Sequence, residues 1–191
     1  MIQRLRELGE VAPLAYWLVL LACVYFAVTA VRLTVIDVRQ HRLPDRIVLP
    51  SYAVAGVLLL GAAVTGAVAD APARTSVARA DAGLPGLFGP FDGPALRVLA
   101  GGAALWLFYF LLRALYPPGM GFGDVKLAGV LGMYLGFLGW QHVLAGTFAA
   151  FLFGGLWSAG LLVSRRGTLK SSIPFGPFML AGAAAAMLVP A

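Results

Sequence analysis

Six apolar runs, at approximately 14–36, 47–69, 94–116, 124–140, 143–163 and 173–190, leave this chain few ways to fold. Each approaches or exceeds the roughly 17 to 25 residues that carry a helix across a hydrocarbon core about 30 Å thick. Backbone N–H and C=O groups find no water there, so each such run crosses as a helix that satisfies them internally. Only 12% of the residues are charged, against about a quarter in soluble domains. The expected fold is therefore an all-α, polytopic membrane bundle of about six transmembrane helices, forming a single transmembrane domain over 1–191. The short fourth run and the closely following fifth predict a helical hairpin.

The net charge of +6 would suit nucleic acid or acidic lipid, but its distribution follows topology instead. With the N-terminus outside, Arg32, Arg39, Arg42, Arg46, Arg113, Lys126, Arg165, Arg166 and Lys170 fall on the inner side. Arg4, Arg6, Arg74, Arg79 and Arg97 fall outside. That is the bias expected when basic residues stay cytoplasmic, although Arg4 and Arg6 alone would pull the N-terminus inward. The pattern predicts a lipid bilayer as partner, no nucleic acid, and leaves the oligomeric state open. Residues 1–30 imitate a secretory signal, yet the apolar run continues to Ile36, which predicts a retained span. Cys23, the single cysteine, can form neither an internal disulfide nor a four-cysteine zinc site, and no metal or cofactor is expected.

The longest connection, about 70–93, is expected outside, with Leu84, Leu87, Phe88 and Phe91 able to rest at the headgroup boundary. The shorter connections near 37–46, 117–124 and 164–172 share the inner face. Gly129, Gly132 and Gly136 recur at helical spacing and predict close helix packing. Trp17 and Trp140 fall near the outer boundary as anchors, while Trp106 and Trp157 are expected to pack inside the bundle. His41 and His142 lie on opposite sides and receive no role.

The unusual chemistry is acidic. An ionised Asp at the bilayer centre costs about 2.5 to 3.5 kcal/mol, so acids at membrane edges ask for a reason. Asp124, in Gly121-Phe122-Gly123-Asp124-Val125-Lys126-Leu127, stands at the edge of one apolar run, and Asp37 stands at the edge of another. The topology brings both to the inner rim. Two carboxylates about 3 Å apart cannot both ionise, and a shared proton supplies both the base that activates water and the acid that protonates an amide. Asp124 near a helix N-terminus is favoured as the anion, and Asp37 near a C-terminus is not, so the shared proton is expected on Asp37. The pair would titrate as a unit. Asp45, beyond Pro44, is expected to pair in solvent with Arg42 and Arg46. Gly121 and Gly123 let the chain turn and let a substrate backbone pass close to the carboxylate, and a helix cap after a turn accounts for the same string.

Three segments, Asp37-Val38-Arg39-Gln40-His41-Arg42-Leu43-Pro44-Asp45, Gly119-Met120-Gly121-Phe122-Gly123-Asp124-Val125-Lys126-Leu127 and Ile173-Pro174-Phe175-Gly176-Pro177-Phe178, together resemble the type IV prepilin peptidases, aspartic membrane proteases of the G-x-G-D kind. The resemblance implies that Asp37 and Asp124 are the catalytic pair. It implies that the enzyme removes the basic leader of pilin-like precursors at the inner edge of the bacterial cytoplasmic membrane. Lys126 falls at the family's lysine position, where it orients the loop or meets the acids; an inner-edge anchor that snorkels to water is the ordinary alternative. Pro174, Gly176 and Pro177 either break the last helix near the site or start it with Pro in the first turn. Asp45 stands where the family commonly has Asn. Longer members carry two C-x-x-C pairs and also methylate the new N-terminus; the single cysteine here implies peptidase activity without methyl transfer, as in the compact members.

Two rivals have distinct signatures. A presenilin-like or signal-peptide-peptidase-like protease would show a tyrosine-aspartate pair in one span and Pro-Ala-Leu in the last, and its acids would sit deeper. A proton-coupled transporter or scaffold would more often show repeated halves and polar residues at mid-span, which 14–69 and 94–163 do not.

Overall fold

The computed structural model describes residues 1, 5, 8–9, 12–40, 43–77, 93–117, 120–164 and 174–189. Most of the expected 70–93 loop, together with Arg4, Arg6, His41, Arg42, Arg79, Gly119, Arg165, Arg166, Lys170 and Ile173, lies outside the described residues. Among the described residues the elements are α1 (Pro13–Gln40), α2 (Asp45–Val77), α3 (Pro94–Leu115), α4 (Phe122–Leu138), α5 (Trp140–Val163) and α6 (Gly176–Leu188). The protein is an all-helical, polytopic membrane bundle. Four segments are long and apolar enough to cross a membrane: α1, the Asp45–Ala69 part of α2, α3, and the Trp140–Leu161 part of α5.

The other two helices are shorter for local reasons. The 17 residues of α4 span about 26 Å at 1.5 Å per residue, close to the hydrocarbon thickness. The 13 residues of α6 span only about 20 Å, so the expected run over 173–190 is shortened at its start. Pro174 has no N–H to donate, and the first turn forms only at Phe175, whose carbonyl accepts the N–H groups of Phe178 and Met179. At the other extreme, α2 runs eight residues past the expected boundary at 69, to Val77, even though Pro72 lies within that extension.

At the centre lies α4, flanked by α2, α3, α5 and α6, with α1 closing against α2 and α6. From Asp124 to Leu138 every residue of α4 except Lys126 is buried. The seam between α3 and α4 is built on glycine. A Cβ on Gly101 would come 2.6 Å from the Gly132 carbonyl oxygen, and one on Gly132 or Gly136 would overlap the backbone of Gly101 or Arg97. This is the close packing expected of Gly132 and Gly136. Gly129 instead admits a side chain, the Tyr52 ring from α2, whose hydroxyl donates to the Lys126 carbonyl at 2.6 Å.

Gly139 makes the expected hairpin between α4 and α5 in a single residue. Its φ of 139° is a conformation L side chains rarely adopt. Its N–H closes the last turn of α4 on Leu135, while its carbonyl accepts the N–H groups of His142 and Val143 and opens α5. Trp106 packs as expected, stacked on Phe110. Trp157 does not: it is 58% exposed on the apolar outer face, with Phe178 the ring beside it. An indole at that place lies against lipid, where an apolar side chain needs no protein cover.

Candidate functional site

Asp37 ends up in the last turns of α1 and Asp124 in the first turn of α4, and both are buried. Their carboxylates lie within electrostatic reach of each other. Helix geometry accounts for each placement. On α1, Leu33 and Asp37 are one turn apart on the face that turns inward, so the acid continues a buried apolar stripe. On α4, the chain turns tightly at Gly121, whose carbonyl accepts the Asp124 N–H at 3.2 Å. The Asp124 Oδ2 reaches back to accept the Gly121 N–H, also at 3.2 Å, satisfying one of the donors that a helix start leaves free.

Gly121 and Gly176, from the second and third motif segments, lie against these acids. A Cβ on Gly121 would sit 3.3 Å from Asp124 Oδ2, and one on Gly176 would sit 2.6 Å from Asp37 Oδ2. Gly123 has a different neighbour: a Cβ there would meet the Leu43 Cβ at 2.8 Å. The Leu43 side chain also reaches the Gly176 position, with its Cδ1 3.4 Å from a Cβ built there. Leu43 thus lies between the segment of Asp124 and the segment that packs on Asp37. Sequence reasoning gave it no role, because nothing local distinguishes a leucine that bridges two distant glycines.

Pro44 stands at the α2 start, its carbonyl accepting the N–H groups of Ile47 and Val48. Pro177 lies in the first turn of α6, so the last motif segment starts a helix rather than breaking one. Asp45 pairs with Lys126, whose Nζ lies 2.8 Å from both Asp45 carboxylate oxygens; of the two partners expected for it, Arg42 lies outside the described residues. The pairing joins residues 81 positions apart, a distance at which sequence spacing carries no signal.

Two more residues missed in the sequence act on the site. Arg113 of α3 lies within electrostatic reach of Asp124, donates to the Met120 carbonyl, and lies over the Phe122 ring at 5.4 Å. It braces the turn that leads into Gly121. Tyr109, also on α3 and fully buried, is within electrostatic reach of Asp124 and stacks on Phe151 beside Phe175. A tyrosine one turn from an arginine on an apolar helix carries no motif, so only the fold reveals either.

The sequence pattern of the type IV leader peptidase family matches residues 19–159, a stretch that includes Asp37, Asp124 and Lys126 and stops before Pro174, Gly176 and Pro177. The chain is similar to a prepilin leader peptidase/N-methyltransferase of Aeromonas salmonicida, 29% identical over 83% of this chain and 46% of that one. It is also similar to proteins of the same name from Burkholderia pseudomallei, 32% identical over 53% of this chain and 32% of that one, and Bacillus subtilis, 34% identical over 47% and 35%. The chain spans less than half the length of these curated relatives. No solved structure matches it significantly. With a match over most of its length, the chain belongs to the type IV leader peptidase family.

Proposed function

We propose that this protein is a membrane-embedded aspartic endopeptidase that removes the basic leader of pilin-like precursors at the cytoplasmic face of the cytoplasmic membrane, with Asp37 and Asp124 as its acid–base pair. The observation that carries the reading is the burial of two carboxylates from distant helices within reach of each other's charge. Uncompensated, such a pair costs stability, and water activation is a use that repays it.

In this reading Asp124, held at a helix start by the Gly121 N–H, takes a proton from the attacking water. Asp37 carries the shared proton and hydrogen-bonds the scissile carbonyl oxygen as the tetrahedral intermediate forms. The proton gained by Asp124 then passes to the leaving amine, and the C–N bond breaks. Gly176, Gly121 and Gly123 let Asp37, Asp124 and Leu43 pack directly on the backbone, which holds the two carboxylates close to their supporting segments. Pro44, Pro174 and Pro177 shape the turns around them.

The relatives are also named N-methyltransferases, whereas the activity proposed for this chain is leader removal alone. The test is incubation of detergent-solubilised protein with a prepilin-like peptide. Leader removal by the parent, with loss of at least about 10³-fold in Asp37→Asn and Asp124→Asn, is the expected result for an acid and a base that act as a unit. Equal processing by all three proteins ends the assignment. Because one proton must sit on the pair, the rate is also expected to fall on both the acid and the alkaline side of an optimum.

A further inference from the structure

We propose that the Asp45–Lys126 ion pair is a positioning pair, which holds Leu43 against Gly123 and Gly176 and thereby fixes the two acids relative to each other. The inference rests on the peptidase reading above. Lys126 lies two residues past Asp124, and Asp45 lies two residues past Leu43, on the chain that returns from Asp37. The Nζ of Lys126 makes two contacts of 2.8 Å to the Asp45 carboxylate and lies 5.1 Å from the centre of the Phe122 ring. Phe122 is in turn covered by Arg113 at 5.4 Å. The start of α2 is thus joined to the start of α4 on both sides of the acid: by Leu43 at Gly123, and by Asp45 at Lys126. A third tie follows two turns later, from the Tyr52 hydroxyl to the Lys126 carbonyl.

Stability alone does not explain this arrangement. The Asp45 side chain is 57% exposed, and exposed ion pairs contribute little to folding. Placement does explain it. Asp37 and Asp124 come from helices far apart in sequence, and a Leu43 side chain reaching both the Gly123 and Gly176 positions sets their spacing. A shift of about 1 Å in such a spacing can cost on the order of 10²-fold in rate. Lys126 therefore reaches the chemistry through Asp45 and Leu43, with its ammonium bonded to Asp45 rather than to either buried acid.

The experiment compares Asp45→Ser, Lys126→Met, the double variant and the conservative Lys126→Arg, using the peptide assay and melting in detergent. A positioning pair predicts that each single substitution lowers kcat by about tenfold to hundredfold with KM within about twofold and an unchanged melting temperature. The double variant is expected to be no slower than the worse single, since both remove one interaction. Lys126→Arg, which keeps the charge, is expected to recover to within about threefold of the parent. Single variants that keep kcat within twofold of the parent, losses that multiply in the double variant, or losses that track a fall in melting temperature each overturn the proposal. All of these outcomes are read against a parent that cleaves and an Asp124→Asn control that does not, so a failed positioning role is separable from a failed peptidase assignment.

Discussion

A Cβ on Gly176 would stand 2.6 Å from Asp37 Oδ2 and 3.4 Å from Leu43 Cδ1, so this position accepts a hydrogen and nothing larger without moving the acid. Gly176→Ala is therefore expected to lower kcat by about tenfold to hundredfold, since the carboxylate rather than the fold gives way. The matched control is Gly155→Ala on α5, where an added Cβ meets nothing within 4 Å. There the helix gains about 0.5 to 1 kcal/mol from the loss of backbone freedom, and activity is expected to hold. Peptide kinetics and detergent melting on the two variants check both outcomes; equal activity in the two would remove Gly176 from the site. The contrast also marks what sequence can reveal at this scale. Gly121, Gly123 and Asp124 form a local string, and their hydrogen bond spans three positions. Leu43, Tyr109, Arg113 and the partner of Asp45 depend on contacts between distant segments, and no spacing encodes those.

Among the elements, α4 was legible as an apolar run but not as the helix the others surround. Its glycines signalled close approach, and the seam with α3 follows from them: Gly132 meets the backbone of Gly101, and Gly136 meets that of Arg97. Backbone cannot move aside as a flexible side chain does. Gly132→Ala is thus expected to force α3 and α4 apart at a cost of about 1 to 3 kcal/mol, read as a lower melting temperature and a smaller folded yield. The same substitution at Gly129 meets the end of the Tyr52 ring, which belongs to a side chain held by one hydrogen bond. A loss at Gly129 as large as that at Gly132 would mean that the seam is set by something other than backbone contact. Helix boundaries were less legible than helix identities, because α2 continues to Val77 past Pro72 while α6 starts only after Pro174.

At the scale of the whole molecule the bundle has two chemically distinct ends. One gathers Asp37, Leu43, Asp45, Arg113, Asp124, Lys126 and Gly176 through the contacts described above. At the other, the Met1 amino group donates to the Met187 carbonyl at 2.8 Å, and the His142 ring pairs with the Val189 carbonyl at 3.3 Å. Since α1 ends, α2 begins, α3 ends, α4 begins and α6 begins at the first end, every one of these helices traverses the bundle in alternation. Orientation in the membrane then follows from charge. The segments next to the acid end carry Arg39, Arg46, Arg113 and Lys126 among the described residues, and basic flanks stay cytoplasmic. The acid end is therefore expected to face the cytosol. In a Cys23→Ala background, Ser164→Cys at the end of α5 and Gly93→Cys before α3 report the two sides. A membrane-impermeant maleimide added to intact cells is expected to label position 93 and to reach position 164 only after lysis. The reverse pattern would put the acids on the outer face, away from any leader held in the cytosol, and the proposed cleavage would lose its substrate.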